Sequence, residues 1–369
     1  MPFERDSAQS VSPDSQPLLS IVVAAYNIEG YIEEALESLL SQPHLDKLRI
    51  IVVDDGSTDD TFAAAKAIAD RDGGVHVQLL RQDNAGLSAA RNTGLAAVRT
   101  PYVGFLDGDD IFLESFTGVV IPALSENAWD IIEYNVKIID DEGRRLDEIE
   151  LVTPDARGGH SMQHQDRMQF VDAFHAFVWA RVYRTSLFDG VSFPVGRHYE
   201  DMAVSPSLYL KAGSVYRVAS PLIGYRRRFG SITQKAALRD MQDLRTNGQE
   251  VLARCNGSKL DEFWLTVFDK LFKRARFVCA RVEHGSFKQA SDILVAMGSD
   301  HRHARSTLAK RGGPDMVELK QSDFDLRADR SIYFLKGLVK KVLRRSVDHQ
   351  QRARRPRVSA QLSGSARGQ

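Results

Sequence analysis

Residues 18–57, LLSIVVAAYNIEGYIEEALESLLSQPHLDKLRIIVVDDGS, decide the fold class. The run 18–26 (LLSIVVAAY) is apolar, rich in β-branched residues and of strand length. After it Ile32, Ala35, Leu36, Leu39 and Leu40 recur at helical spacing, with Glu33, Glu34 and Glu37 off that face. A second apolar run, 48–53 (LRIIVV), follows. Strands without polar alternation are buried on both faces, as in a parallel sheet covered by helices. The unit then repeats. Ser57 with Asp60 reads as a helix start, continued by Phe62, Ala65, Ile68 and Ala69. Residues 75–80 (VHVQLL) form a third strand, 86–98 a third helix and 102–106 (YVGFL) a fourth strand. Right-handed crossovers make this an α/β, doubly wound, mostly parallel sheet with flanking helices.

Beyond Asp110 the alternation loosens. Residues 131–139 (IIEYNVKII) read as a strand, 151–168 as a Gly-, His- and Gln-rich loop, and 202–212 as a helix. From about 236 the chain reads as helical, while 1–17 and 346–369 have the composition of disordered ends. The length of 369 residues suits about two domains or one large one at roughly 100–200 residues each. No stretch approaches the ~20 apolar residues of a membrane span, and the polar N-terminus is unlike a secretory signal. The two cysteines, Cys255 and Cys279, make no zinc or disulfide pattern. Both features fit a cytoplasmic protein.

The formal charge is zero, from 49 bases and 49 acids, which excludes a strongly basic nucleic-acid binder. The halves differ sharply, however. Residues 1–150 hold 28 acids and 11 bases, and residues 151–369 hold 21 acids and 38 bases. In open α/β sheets ligands bind beyond the carboxyl ends of the strands. The first, second and fourth strands end there in Tyr26-Asn27, Asp54-Asp55-Gly56-Ser57 and Asp107-Gly108-Asp109-Asp110. Five carboxylates converging on one rim repel unless a cation sits among them, and a hard divalent ion bridging to phosphates answers that need. In extended backbone Asp107 and Asp109 would point to the same side. Capping of the next helices is the plainer reading for Asp59 and Asp60. Neither a G-x-G-x-x-G after the first strand nor a Walker A sequence is present. Arg91, early in the third helix, offers a fixed fork to an anionic group, as would one of Arg226, Arg227 and Arg228.

The series Val23-Ala24-Ala25-Tyr26-Asn27, Val53-Asp54-Asp55-Gly56-Ser57-Thr58-Asp59, Asn84 through Asn92 and Phe105-Leu106-Asp107-Gly108-Asp109-Asp110 resembles glycosyltransferase family 2, with its metal-dependent GT-A fold. The resemblance is close over 18–110. It continues in Trp179 through Arg184, Tyr199-Glu200-Asp201 and Tyr225 through Gly230-Ser231-Ile232-Thr233, with Arg181 where the family usually has Lys. It implies that Ala25, Tyr26 and Asn27 line the base and ribose pocket. Asp54 or Asp55 would contact the base, with Arg91 beside it. Asp107-Gly108-Asp109 would be the D-x-D motif that binds Mn²⁺ or Mg²⁺ at the donor diphosphate, Asp109 being the more direct ligand. Arg228 would lie on the diphosphate side, and Asp201 would be the catalytic base. Its local sequence equally suits a helix N-cap. His198, next to this pair, reads either as a substrate-orienting group or as a solvated loop histidine.

The implied organisation is a leader at 1–17, a GT-A domain at 18–235, a helical region at 236–345 and a basic tail at 346–369. Residues 18–110 of the domain would bind the nucleotide sugar and 111–235 the acceptor. The implied reaction is inverting transfer from a nucleoside-diphosphate sugar, most often UDP-linked, to a glycan or lipid-linked acceptor in surface or extracellular polysaccharide synthesis. Two alternatives remain: an inactive nucleotide-sugar-binding protein, and a sugar-phosphate nucleotidylyltransferase. Residues 331–357 carry nine bases and one acid around an apolar stripe. Such a helix suits an anionic membrane surface at the inner face, and equally a packing helix with a solvated tail.

Overall fold

The first apolar run forms β1 (Leu19–Ala25), with every residue buried. It is followed by α1 (Ile32–Leu40), β2 (Leu48–Asp54), α2 (Thr61–Asp72), β3 (Val77–Arg81), α3 (Leu87–Ala97) and β4 (Tyr102–Asp107). These strands pair in parallel, β1 lying between β2 and β4 and β2 pairing with β3. The structure is a computed structural model that describes residues 16–228 and 236–310. All of the described residues belong to one compact unit. The expectations for the leader before residue 16, for Gly230-Ser231-Ile232-Thr233, for 331–357 and for the tail lie outside the described residues.

The chain continues with β5 (Ile111–Phe112), α4 (Phe116–Glu126), β6 (Ile131–Ile139), β7 (Arg145–Ile149), β8 (Gly158–Ser161), α5 (His164–Ala173), β9 (Arg181–Arg184), α6 (Glu200–Lys211) and β10 (Ser214–Arg226). Three helices close the described chain: α7 (Leu238–Ala253), α8 (Asp261–Cys279) and α9 (Phe287–Lys310). The sheet order is β3-β2-β1-β4-β9-β6-β10-β5. Strand β9 runs antiparallel to both β4 and β6, joining the parallel sheet to a second parallel pair, β6 and β10. The expected doubly wound sheet is therefore present, with a mixed second half.

Two expectations need correction. Residues 151–168 are not a plain loop, because they contain β8 and the start of α5. Strand β8 adds to the edge of β10, and α5 starts where Asp166 Oδ2 accepts the Gln163 N–H at 2.8 Å. Ser57 does not start α2, which begins at Thr61. The Ser57 Oγ instead accepts the Asn27 N–H at 3.0 Å, and Asp59 Oδ1 accepts the Thr61 N–H at 3.0 Å. Of the two acids expected to cap this helix, Asp60 holds the N-cap position without a side-chain cap bond, and only Asp59 reaches a backbone N–H at the helix start.

Helix α3 lies tightly against β1. A Cβ on Gly94 would sit 2.3 Å from Cγ1 of Val22, a stiff β-branched side chain with no exposure. Gly94→Ala should destabilise the chain by about 1–3 kcal/mol through overpacking. Urea denaturation checks this, and unchanged stability would mean that the helix–strand contact yields freely.

Across the second half, Glu133 of β6 is 6% exposed and sits among cations. Its Oε1 accepts from Arg181 Nη2 at 2.5 Å, Arg181 Nε at 3.1 Å and the Tyr209 hydroxyl at 2.8 Å. Its Oε2 lies 3.5 Å from Arg217 Nε, and Arg217 Nη1 donates to Asp166 Oδ1 at 3.0 Å. Burial works against the Arg181 charge, but Tyr209 and Glu133 outweigh it and hold the guanidinium charged. Among the described residues no helix is long and apolar enough to cross a membrane.

Candidate active site

The carboxyl ends of β1, β2 and β4 lie side by side, as parallel pairing in register requires. Ala25 is buried and contributes its backbone, its carbonyl accepting the Asp55 N–H at 2.9 Å. Tyr26 is 46% exposed. Asn27, with φ +49°, clamps the two loops together by accepting the Thr58 N–H at 2.9 Å. Asp54 is fully buried, with Oδ2 3.1 Å from Arg81 Nε, while its Oδ1 has no hydrogen-bond partner. Asp55 accepts from Gln82 Nε2 at 2.7 Å and from the Ala85 and Gly86 N–H groups at 3.0 and 2.7 Å. It thus fixes the loop that leads into α3. An open cleft of about 740 Å³ is lined by Gly56, Ser57, Thr58, Arg81, Gln82, Asp83 and Asn84, so the expected base-pocket residues Ala25, Tyr26, Asn27, Asp54, Asp55 and Arg91 do not line it.

The five rim carboxylates do not form one cluster. Asp54 and Asp55 are committed as above, and Asp110 accepts the Arg226 N–H at 2.7 Å. Among the described residues no group of three or more acidic, His or Cys side chains is arranged to hold a metal. Asp107 and Asp109 remain. Asp107 ends β4, but the backbone turns directly after it, the Asp110 N–H closing on the Asp107 carbonyl at 2.8 Å, so the pair does not share one extended run. Gly108 fits that turn for want of a side chain: a Cβ there would meet Ile28 Cδ1 at 2.5 Å and the Ala24 carbonyl at 3.0 Å. Asp107 Oδ1 accepts from Arg91 Nη2 at 2.6 Å, and Asp109 Oδ2 from Arg228 Nε at 2.6 Å. Each keeps a second oxygen, and the two carboxylates are 25% and 22% exposed. Two carboxylates plus substrate phosphates is a donor set that fits Mg²⁺ or Mn²⁺. Burial, then Asp107, raises the Asp109 carboxyl against the pull of Arg228. Burial, then Asp109 and Asp107, raises Asp110 well above the usual carboxylate range.

Arg91 is 2% exposed, and its second nitrogen, Nη1, donates to Glu200 Oε1 at 2.6 Å. Burial works against its charge, but Asp107 and Glu200 outweigh it and keep it ionised. This buried chain joins the end of β4 to the start of α6, where Asp201 follows Glu200. Asp201 is not the N-cap, a position held by Tyr199. Its Oδ1 accepts the Met202 N–H at 2.7 Å. Burial first, then the Glu200 charge, pushes its carboxyl up to about 7 against the pull of Arg91.

The three arginines after Tyr225 have different tasks. Arg226 is buried, holding Asp110 through its N–H and the Asp140 and Asp141 carbonyls and Glu34 through its guanidinium. Arg227 is exposed and donates its N–H to the Ile139 carbonyl. Arg228 alone of the three pairs with a D-x-D carboxylate, and it lies over the Tyr31 ring at 5.2 Å. Arg181 is committed to Glu133 and Tyr209. His198 Nδ1 meets Asp240 Oδ1 at 2.6 Å. Sequence reasoning missed the pairing of Glu200 with Arg91. The adjacency of two acids at 200–201 was its signal, and what it did not show was the cation between them and Asp107.

The chain matches the family model described as Glycosyl transferase family 2 over residues 20–191. It is 32% identical over 221 residues to the uncharacterized glycosyltransferase EpsJ of Bacillus subtilis, covering 59% of this chain and 63% of that one. It is 30% identical over 223 residues to the glycosyltransferase GlyG of Streptococcus pneumoniae, covering 58% of this chain and 72% of that one. The chain thus spans less than two thirds of the length of EpsJ. Residues 1–349 of TarS from S. aureus, solved in complex with UDP-GlcNAc, align with a TM-score of 0.61 at 18% identity, over 79% of this chain and 88% of that one. The two share a fold.

Proposed function

This chain belongs to glycosyl transferase family 2, and from that premise we propose that it transfers a sugar from a nucleoside-diphosphate sugar to an acceptor hydroxyl, with Asp201 as the base. The observation that carries this reading is the buried Asp107–Arg91–Glu200 chain, which ties the D-x-D turn to the helix start bearing Asp201. A carboxyl held near neutrality accepts a hydroxyl proton better than an ordinary aspartate does. The acceptor oxygen bonds to the anomeric carbon as the bond to the diphosphate breaks, through an oxocarbenium-like state. The acceptor proton goes to Asp201 and the electron pair leaves with the nucleoside diphosphate. A single base suffices for this inverting displacement.

Arg228 stands beside Asp109, where it can face the leaving phosphate. Asp107 and Asp109 would hold the divalent cation, which when bound supplies positive charge to the diphosphate. The cleft at Gly56–Thr58 and Arg81–Asn84 suits the base, and a UDP-linked donor is in keeping with the UDP-GlcNAc complex of TarS. The proposed acceptor is a glycan or lipid-linked acceptor, and the nine bases of 331–357 support a cytoplasmic protein drawn to the anionic inner face of the membrane.

The test is nucleotide release from a panel of nucleoside-diphosphate sugars with Mn²⁺, with and without EDTA. Release that EDTA abolishes is the expected result. Release that persists in EDTA refutes the metal role of Asp107 and Asp109, and silence with every donor refutes transfer. Asp109→Ala should weaken Mn²⁺-dependent UDP binding at least about tenfold, as loss of a metal-site group does. Calorimetric titration measures this, and unchanged affinity would remove Asp109 from the site.

A further inference from the structure

We infer that α7 is a positioning element of the active site: it grips the turn Gly196–Tyr199 and so sets where Asp201 sits. The inference rests on the reading of Asp201 as the base. Four consecutive residues are held from one face of α7. Arg239 Nη2 donates to the Gly196 carbonyl at 2.6 Å. Arg197 Nη1 donates to Asn247 Oδ1 at 3.0 Å and pairs with Glu250 at 2.8 Å. The His198 N–H donates to Asp243 Oδ2 at 3.0 Å, and its Nδ1 meets Asp240 Oδ1 at 2.6 Å. Asn247 Nδ2 donates to the His198 and Tyr199 carbonyls at 3.4 and 3.2 Å.

Positions 239, 240, 243, 247 and 250 form one stripe at helical spacing. Asp240, Asp243 and Asn247 are 4%, 9% and 0% exposed. Buried polar groups are normally hydrogen-bonded, and here the turn supplies partners for this stripe. The turn needs the hold. Tyr199 has φ +58°, a left-handed conformation that side chains other than glycine disfavour. Helix α6 begins at the next residue with no side-chain cap of its own. Its first turn is therefore fixed from outside, by α7, by Arg274 of α8 over the Tyr199 ring at 5.2 Å and by Arg91 on Glu200. Asp201 lies two residues after Tyr199, so release of the turn re-aims the base. A misplacement on the order of 1 Å costs about 100-fold in rate.

The experiment is Asn247→Ala in the full chain, read by kcat, donor KM, UDP affinity and amide exchange at residues 200–203. The expected result is a kcat lower by about 10- to 100-fold with donor KM and UDP affinity within about twofold, since only a transition-state contact is lost. Exchange at 200–203 should quicken. Asp243→Ala, which frees the same turn at the His198 N–H, should show the same split and covers the case in which Asn247→Ala fails to fold. Wild-type kcat with unchanged exchange overturns the inference. If the wild-type chain releases nucleotide from no donor, the reading of Asp201 has failed. Exchange at 200–203 then decides alone whether α7 holds the turn.

Discussion

Asp201→Asn should lower sugar transfer by about 10²–10⁴-fold while UDP binding stays near the wild-type level. The amide keeps the shape and can still accept the Met202 N–H, so the start of α6 survives. What it loses is the capacity to take a proton. The pH behaviour separates this from a structural role. A base must be ionised, so transfer should fall as pH drops through about 7, where burial and Glu200 hold the Asp201 carboxyl. A cation at Asp107 moves that limb to lower pH, because added positive charge favours the carboxylate. The linkage to stability has the opposite sign from that of an ordinary salt-bridged aspartate. A carboxyl raised on folding contributes stability that is fully present below its unfolded value and is lost as pH rises through about 7. At pH 8 Asp201→Asn should therefore be as stable as the wild type or more so, while inactive. Wild-type transfer rates in this variant would show that Asp201 is not the base. A variant that melts early at pH 8 would make it a structural residue.

Glu133→Ala should cost about 3–5 kcal/mol of stability, the range for removing one partner of a buried ion pair. Arg181, 1% exposed, would keep the Phe177 carbonyl and the Tyr209 hydroxyl but lose its counter-charge on Glu133, and Arg217 would be left with Asp166. The network spans β6, β9, β10 and α6, so its loss loosens the second half of the sheet. Glu133→Gln, which keeps an acceptor but not the charge, should fall between the two. Urea denaturation of the three chains gives the order directly. A loss under about 1 kcal/mol for Glu133→Ala would show that water enters and screens the arginines.

The first half of the fold was legible because each of its elements is local. Continuous apolar runs at 18–26, 48–53 and 102–106 dictate strands buried on both faces, and they became β1, β2 and β4. Helix α5 was not legible, since its hydrophobic residues are few and only Phe170 and Val171 carry its apolar burial. Ser57 was misread because an N-cap and a loop-to-loop acceptor use the same hydroxyl. The D-x-D pair was visible from the density of acids at 107–110, but the turn at Gly108 was not, since it depends on the close approach of Ile28 and Ala24.

By itself the sequence determined the β-α alternation, the strand-end rim and the candidate residues Asp107, Asp109 and Asp201, because hydrophobic period and residue type are local properties. The tertiary structure alone decided which of those acids are available. It committed Asp55 to the 82–86 loop and Asp110 to Arg226, and it left Asp107 and Asp109 each with a spare oxygen. It also joined Arg91 to Glu200 across 109 positions, and the turn before Asp201 to α7 across more than 40. Charge pairing and burial depend on distances through space, and those are set only when the chain has closed on itself.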